Sequence, residues 1–384
     1  MRLPDGERTL GGKLALEILV ISPWDLEDPR AWSGAVVPML EALRREAETR
    51  GHRLSATSIS VSHHPVDRVL ARASGALHRG YLPQHSWATA GRSGRTTRSE
   101  VEKRRPDAVV GIAASGVLAR ARLSVPCVQI TDATFRAIQG LYPQFTDLSP
   151  LARWQGDAIE RAARRRSDQM VVASAWARRS LIDDYGAEPE RITVAPFGPA
   201  VGNPDGMPRR TPEDGVLRVL AVATDWHRKG GDRAVEVVGR LRDSGVAAVL
   251  TVLGDTPRAP LPTWVRAPGR VSRTQMVEEY ARHDVLLELT RGAAGGITLA
   301  DAAGFGLPCV VQSTGGVADV VVDGVTGSLV DDEDQAVRAL TELVDPELRD
   351  RRGAQARERF ESVLSWDCWA RKVLPVIERA ALMR

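Results

Sequence analysis

Arg228 and Lys229 stand side by side after an apolar run, and Gly230-Gly231 follow before a helical pattern begins near Asp232. An arginine offers a flat fork to two phosphate oxygens, and a lysine adds a compact charge. Glycines let a backbone approach a ligand closely, and the amides at a helix start favour anions. Downstream come Gly295-Gly296-Ile297-Thr298, then Asp301 in an apolar helical pattern, then Gly315-Gly316. A cation pair opening a helix, glycine-rich turns and an acidic helix residue together suit a nucleoside diphosphate carrying a sugar. An isolated Arg-Lys-Gly-Gly would read as a solvated charge pair on a loop. The agreement of all these segments is what points to a site.

Positioning such residues requires strands that end where these loops begin. Leu16–Ser22 reads as a first buried strand, and the helix after Gly34 carries Val36, Val37, Leu40 and Leu43 on one face. Leu54–Val61 is a second strand. Residues 62–98 are rich in Gly, Ser, Arg and His with poor periodicity, which reads as a long surface excursion around short helices. Strands at 106–112 and 125–130, a helix near 117–122, a helix over about 151–166, a strand at 169–173 and a helix at 175–185 follow. Ser174 is placed to cap that last helix, and 191–196 closes the first half.

Residues 199–215 hold four prolines and three glycines without period, the pattern of a linker. Beyond it the alternation restarts, with strands at 216–223, 248–254, near Arg270, at 285–289 and at 308–312, and a helix at 232–244. The C-terminal residues 333–384 read as helical, with Trp366 and Trp369 on one apolar face. Alternating strands and helices predict two parallel, doubly wound sheets, each binding ligands beyond the carboxyl ends of its strands, with a cleft between the two domains.

Composition narrows the function classes. A chain of 384 residues suits two domains, and 43% apolar with 26% charged residues is globular rather than disordered. A net charge of +3 gives no global field for nucleic acid. Only four residues are lysine (Lys13, Lys103, Lys229 and Lys372), so Lys229 is one of few compact cations. Cys127, Cys309 and Cys368 lack metal-ligand spacing and read as thiols in a reducing cytoplasm. The polar segment 1–13 lacks an export core, and no run of 18 apolar residues predicts a membrane span. His63, His64, His78 and His85 fall in the 62–98 segment without the spacing of a metal site; an acceptor-binding loop or a solvated face is the expectation there.

In order and spacing the segments around Arg228-Lys229, Gly295–Asp301 and Gly315-Gly316 resemble the donor half of the retaining glycosyltransferases of family 4. The resemblance runs from Leu16 to the last helix. It implies the GT-B fold, with two facing Rossmann-like domains: an acceptor-binding domain at 14–200 completed by the helix 366–384, a linker at 201–215, and a donor-binding domain at 216–365. It implies that the diphosphate lies against Arg228, Lys229 and the amides of Gly315-Gly316, that Gly295, Gly296, Ile297 and Thr298 line the donor site, and that Asp301 accepts hydrogen bonds from the ribose. No divalent metal or other cofactor is expected, since Arg and Lys replace it. Trp32-Ser33-Gly34 resembles the turn beneath the donor phosphates, which assigns Ser33 and Gly34 to the donor. Asp132, after the strand 125–130, sits where the family holds a polar residue near the transferred sugar. It either orients a hydroxyl or accepts the acceptor's proton, or it caps the next helix.

Two positions depart from the pattern. The family's paired acids, separated by seven intervening residues, align with Ala293 and Asp301, so the first carboxylate is missing. Glu288 lies five residues earlier in a strand; it reads as a strand-end residue facing a polar partner and receives no role. Ala223 stands where the family often has another phosphate-binding arginine, and the local pattern Asp225-Trp226-His227-Arg228 resembles a branch in which Arg228 supplies that guanidinium. The expected activity is transfer from a nucleotide diphosphate-sugar to a small natural-product or aminocyclitol acceptor, or a glycan. The alternatives are a degenerate relative that binds without transfer and a nucleotide-sugar epimerase of the same architecture.

Overall fold

A computed structural model describes residues 9–10, 13–202, 206 and 214–383. Most of the expected linker and of the N-terminal segment lie outside the described residues. The chain divides into two compact units, Met1–Ala195 with Trp369–Arg384, and Pro196–Cys368.

After a short antiparallel pair, β1 (Thr9–Leu10) and β2 (Lys13–Leu14), the first unit builds one parallel sheet. Its strands are β3 (Glu17–Ser22), β4 (Arg53–Ser58), β5 (Ala108–Ile112), β6 (Cys127–Thr131), β7 (Gln169–Val172) and β8 (Ile192–Val194), ordered β4-β3-β5-β6-β7-β8. Its helices are α1 (Val36–Thr49), α2 (Pro65–Ala76), α3 (Trp87–Arg104), the single turn α4 (Ser115–Leu118), α5 (Pro150–Arg164) and α6 (Ala175–Asp183). Strands β5 and β6 are buried at every residue, as expected where helices cover both faces of a parallel sheet. Ser174 caps α6, its hydroxyl accepting from the Ala177 amide at 3.2 Å.

The segment expected to be a loose excursion contains α2 and the 18-residue α3. The buried face of α3 is Thr89, Ser93, Thr97 and Val101, with Ala90 and Gly94 beside it. Helical spacing is present, but small and hydroxylated residues carry it, so a hydrophobic period does not show. Gly94 explains the need for small residues: a Cβ there would sit 2.7 Å from the carbonyl carbon of Arg120.

The second unit orders its parallel strands β11-β10-β9-β12-β13-β14. These are β9 (Leu217–Ala223), β10 (Ala248–Gly254), β11 (Val265–Gly269), β12 (Val285–Glu288), β13 (Cys309–Gln312) and β14 (Gly327–Val330). Helices α7 (Gly231–Asp243), α8 (Arg273–Ala281), α9 (Ile297–Gly304), α10 (Glu333–Glu342) and α11 (Pro346–Arg359) accompany them. Strand β14 is absent from the sequence reading because Gly327 and Ser328 dilute its pattern. Gly327 is required by packing, since a Cβ there would meet the Cys309 carbonyl at 2.2 Å.

Chain order along this sheet reverses between β9 and β12, and the crevice beyond the carboxyl ends of such a strand pair is where doubly wound sheets bind ligands. The same reversal in the first unit falls between β3 and β5. The last helix, α12 (Trp366–Leu382), starts in the second unit and continues in the first. Trp366 donates its indole N–H to Pro199 O at 2.7 Å and packs on Phe197. This anchors residues 197–199 in the second unit, earlier in the chain than the sequence boundary at 201. Trp369 is buried in the first unit, where Glu378 of the same helix holds His52 and Arg50.

Candidate functional site

In the second unit the loops after β9 and β12 are stitched together at the order reversal. Asp225 starts a tight turn: its carboxylate accepts from the Arg228 amide, and its carbonyl accepts from the Lys229 amide at 2.8 Å. Gly230 adopts φ +71°, and a Cβ there would fall 2.1 Å from Leu289 O, just past the end of β12. Only glycine lets the two loops approach this closely. From the other side the Thr290 hydroxyl and the Arg291 amide donate to Arg228 O. Arg291 also grips Asp232 in the first turn of α7 at 2.9 and 3.1 Å.

The two cations predicted from sequence are held in this frame. The Arg228 guanidinium donates to Gly292 O at 3.1 Å and lies 3.4 Å from Asp225. Lys229 Nζ donates to Glu288 Oε1 at 2.9 Å. Their side chains are 16% and 15% exposed, and that of Glu288 is 3% exposed. The reading of a solvated charge pair is therefore set aside. Lys229 faces a buried counter-ion, and Glu288, which sequence reasoning left without a role, is its partner. The signal was available: a lone carboxylate closing an otherwise apolar strand needs a cation. Glu288 shares its face of β12 with Leu286, toward the cluster containing Tyr280 and Cys309. Its second oxygen, Oε2, is buried without a partner among the described residues, as is the Tyr280 hydroxyl. Burial pushes both the Cys309 thiol and the Tyr280 phenol up, and Glu288's charge adds to each shift.

The other predicted donor residues divide into two groups. Gly295, Gly296, Ile297 and Thr298 are half-buried around the start of α9. Gly296 takes φ +62°, with Val320 2.7 Å from where a Cβ would be. Two of the expected donor residues also make bonds within the protein. Asp301 is 3% exposed, and its Oδ1 accepts from the amides of Val201 and Gly202 at 2.7 and 3.0 Å. That oxygen fastens residues 201 and 202. Burial raises the carboxyl to about 6, against the pull of those amides. The Gly316 amide is likewise committed, donating to Ala293 O at 3.1 Å. Gly315, at φ +58°, has that same carbonyl 1.8 Å from a hypothetical Cβ. These glycines are present so that their loop can lie on the backbone of residue 293.

In the first unit Trp32, Ser33 and Gly34 follow β3 with φ of +49°, +60° and +84°. Two consecutive non-glycine residues in the left-handed region cost on the order of 1 kcal/mol each, and such strain collects at functional turns. The Trp32 side chain hydrogen-bonds Asp132, beyond the end of β6. Burial pushes that carboxyl up to about 6, while its own amide, the Ala133 amide and Trp32 pull it down. The helix-cap alternative for Asp132 does not hold. The next turn is capped by Thr134, whose Oγ1 accepts from the Ala137 amide at 3.2 Å. Asp132 thus lies at a strand end beside a strained turn, its carboxylate held by Trp32 and nearby amides.

Of the histidines, His64 caps α2 and His85 sits among Phe135 and Phe145, where burial lowers it to about 4. Among the described residues no three His, Cys, Asp or Glu side chains cluster as metal ligands.

Each unit is a parallel doubly wound α/β domain, with cations at one strand-order reversal and a strained turn at the other. Two family models match: Glycosyltransferase Family 4 over residues 33–198 and Glycosyl transferases group 1 over residues 208–359. The chain belongs to this family of glycosyltransferases and has the GT-B fold. Similar curated proteins include glycogen synthase of Mycobacterium tuberculosis, 27% identical over 230 residues, covering 55% of this chain and 54% of that protein. D-inositol 3-phosphate glycosyltransferase of Acidothermus cellulolyticus is 29% identical over 300 residues, covering 70% and 65%. The chain thus spans about half the length of the glycogen synthase it matches. Among solved structures, sucrose-phosphate synthase from Thermosynechococcus elongatus superposes with a TM-score of 0.72 at 15% identity, covering 95% of this chain and 98% of that one. HepE of Anabaena, in complex with UDP-glucose, gives 0.61 at 12% identity, covering 95% and 100%. Among the described residues no helix is long and apolar enough to cross a membrane.

Proposed function

We propose that the chain transfers a sugar, with retention of configuration and without a metal, from a nucleoside diphosphate-sugar to a small polyol-like acceptor. The observation that carries this reading is the Lys229–Glu288 pair, with Arg228 beside it, at the β9–β12 reversal. The second unit binds the donor, its diphosphate reaching Arg228 and Lys229. Lys229 shifts from Glu288 toward the phosphates and stabilises the negative charge that grows as the glycosidic bond breaks. Glu288 is too buried to be left as a bare anion, so it keeps a share of Lys229 as the donor binds. In the first unit, Asp132 orients an acceptor hydroxyl or receives its proton, with Trp32 fixing the carboxylate. The UDP-glucose complex of a fold neighbour supports a nucleoside diphosphate-sugar donor, and the name of the inositol phosphate enzymes supports a cyclitol acceptor.

The test is a thermal-shift series with nucleoside diphosphates, followed by transfer assays from the stabilising nucleotide's sugar conjugates to cyclitols and cyclitol phosphates. Stabilisation by none of the nucleotides would refute the donor assignment. A second reading, binding without transfer, is favoured by one observation. Residue 293 is a buried alanine whose carbonyl supports the Gly315-Gly316 loop, so the family's first carboxylate has no replacement at that position. Donor hydrolysis separates the two, since a transferase releases nucleoside diphosphate slowly even without acceptor and a pure binder does not. Isomerised donor in the same incubation would indicate an epimerase.

A further inference from the structure

A second cationic site lies wholly within the first unit, partly in the 62–98 segment, and is lined by none of the residues assigned to the donor or to Asp132. It is a pocket of about 760 Å³ whose walls include Arg92 and Arg95 on α3, Arg120 and Arg122 after α4, and Arg166 at the end of α5, with Trp87 at one side. No carboxylate lines it. Elsewhere the chain matches arginines with acids: on α3 itself Arg98 pairs with Glu102 and Arg104 with Glu100. Among the described residues none of the five pocket arginines makes an ion pair with a carboxylate. Arg120 lies over the Trp87 ring at 5.6 Å, and Arg166 spends one N–H on Ala162 O while its Nε is buried without a partner. Burial and then the neighbouring charges of Arg122 and Arg120 lower the Arg166 pKa, so these guanidinium groups repel one another.

The convergence is built by packing. Gly94 leaves room for the Arg120 backbone, since a Cβ there would lie 2.7 Å from the Arg120 carbonyl carbon. Arg92 and Arg95 sit three residues apart, on one face of the helix. Repulsion of this kind is unfavourable in the empty protein and is relieved by an anion, while the fork geometry of arginine suits phosphate oxygens.

We propose that this pocket binds a small soluble polyanion carrying two or more phosphate groups, at a site separate from the donor diphosphate. A concave pocket of this volume matches the size of a small-molecule site, whereas a planar anionic membrane would contact only its rim. The proposal does not depend on the transfer reaction.

Calorimetric titration of the full chain with inorganic tripolyphosphate tests it, in wild type, Lys229→Ala, Arg120→Ser/Arg122→Ser and Arg92→Ser/Arg95→Ser. The expected result is saturable one-to-one binding that survives Lys229→Ala, weakens at least about tenfold in each double variant, and fades with added salt. Arg92 and Arg95 stand on the surface of α3, so the second double variant remains informative if the first fails to fold. Loss of all binding in a Lys229→Ala protein that still melts cooperatively, unchanged affinity in the folded double variants, or binding only to phosphatidylglycerol vesicles and not to tripolyphosphate would each overturn the proposal.

Discussion

Lys229 and Glu288 are unequally dependent on each other. Removing Lys229 leaves a carboxylate buried with no counter-charge, which costs about 3–5 kcal/mol, whereas replacing both members by apolar residues is often neutral. Lys229→Ala is therefore expected to lower the melting temperature and to cut turnover at least about a hundredfold. Lys229→Met/Glu288→Leu should recover most of the stability and none of the activity; recovered activity would show that neither charge takes part in the reaction. Glu288→Gln releases Lys229 from its competitor, so nucleoside diphosphate should bind more tightly while turnover falls, measured by calorimetry and steady-state kinetics. Asp132 supplies a pH test. Its pKa is raised from 3.8 to about 6 in the folded state. Turnover should therefore climb as pH rises through 6, and Asp132→Asn should lack that limb. At this scale the sequence exposed the cations, whose types announce their chemistry. It hid the partners of Glu288, Asp301 and Gly316, because these are 59, 100 and 23 positions away in the chain.

Elements were legible where burial is apolar and illegible where it is not. Strands β5, β6, β9 and β10 stand where continuous Val, Leu and Ile runs placed them. Helix α3 escaped notice because close packing against the Arg120 turn demands Gly, Ser and Thr on its inner face. Gly94→Ala is accordingly expected to destabilise the protein by about 1–3 kcal/mol through overpacking, read from the denaturation midpoint. Helix α5 carries a second test. Glu160 is buried, and burial raises it from 4.5 to about 7 despite hydrogen bonds from Ser115 and Phe135. The folded state binds the extra proton, so stability should fall as pH climbs from about 4.5 to 7. Glu160→Gln should remove that fall, with a higher melting temperature at pH 8 and no change at pH 4.

Across the whole molecule, sheet order does what no single residue can. The arrangement β11-β10-β9-β12-β13-β14 brings the ends of β9 and β12 together, although more than 60 residues separate Ala223 from Glu288 in the chain. Alternating strand and helix patterns announce parallel sheets, but strand neighbours are set by packing among distant segments, which no local period encodes. The chain passes between the units at 195–196 and again at 368–369. A variant ending at Cys368 would strip Val373, Leu374, Val376 and Ile377 from the core of the first unit. It is expected to aggregate or lose the cooperative melting of that unit, as seen by calorimetry, while residues 196–368 retain their fold.

That double passage has a temporal side. A ribosome releases residues 369–384 only after the second unit has been translated, so the first unit is completed after the second. Until then the first unit keeps an uncovered greasy patch, and chaperone engagement should persist until residues 369–384 have emerged.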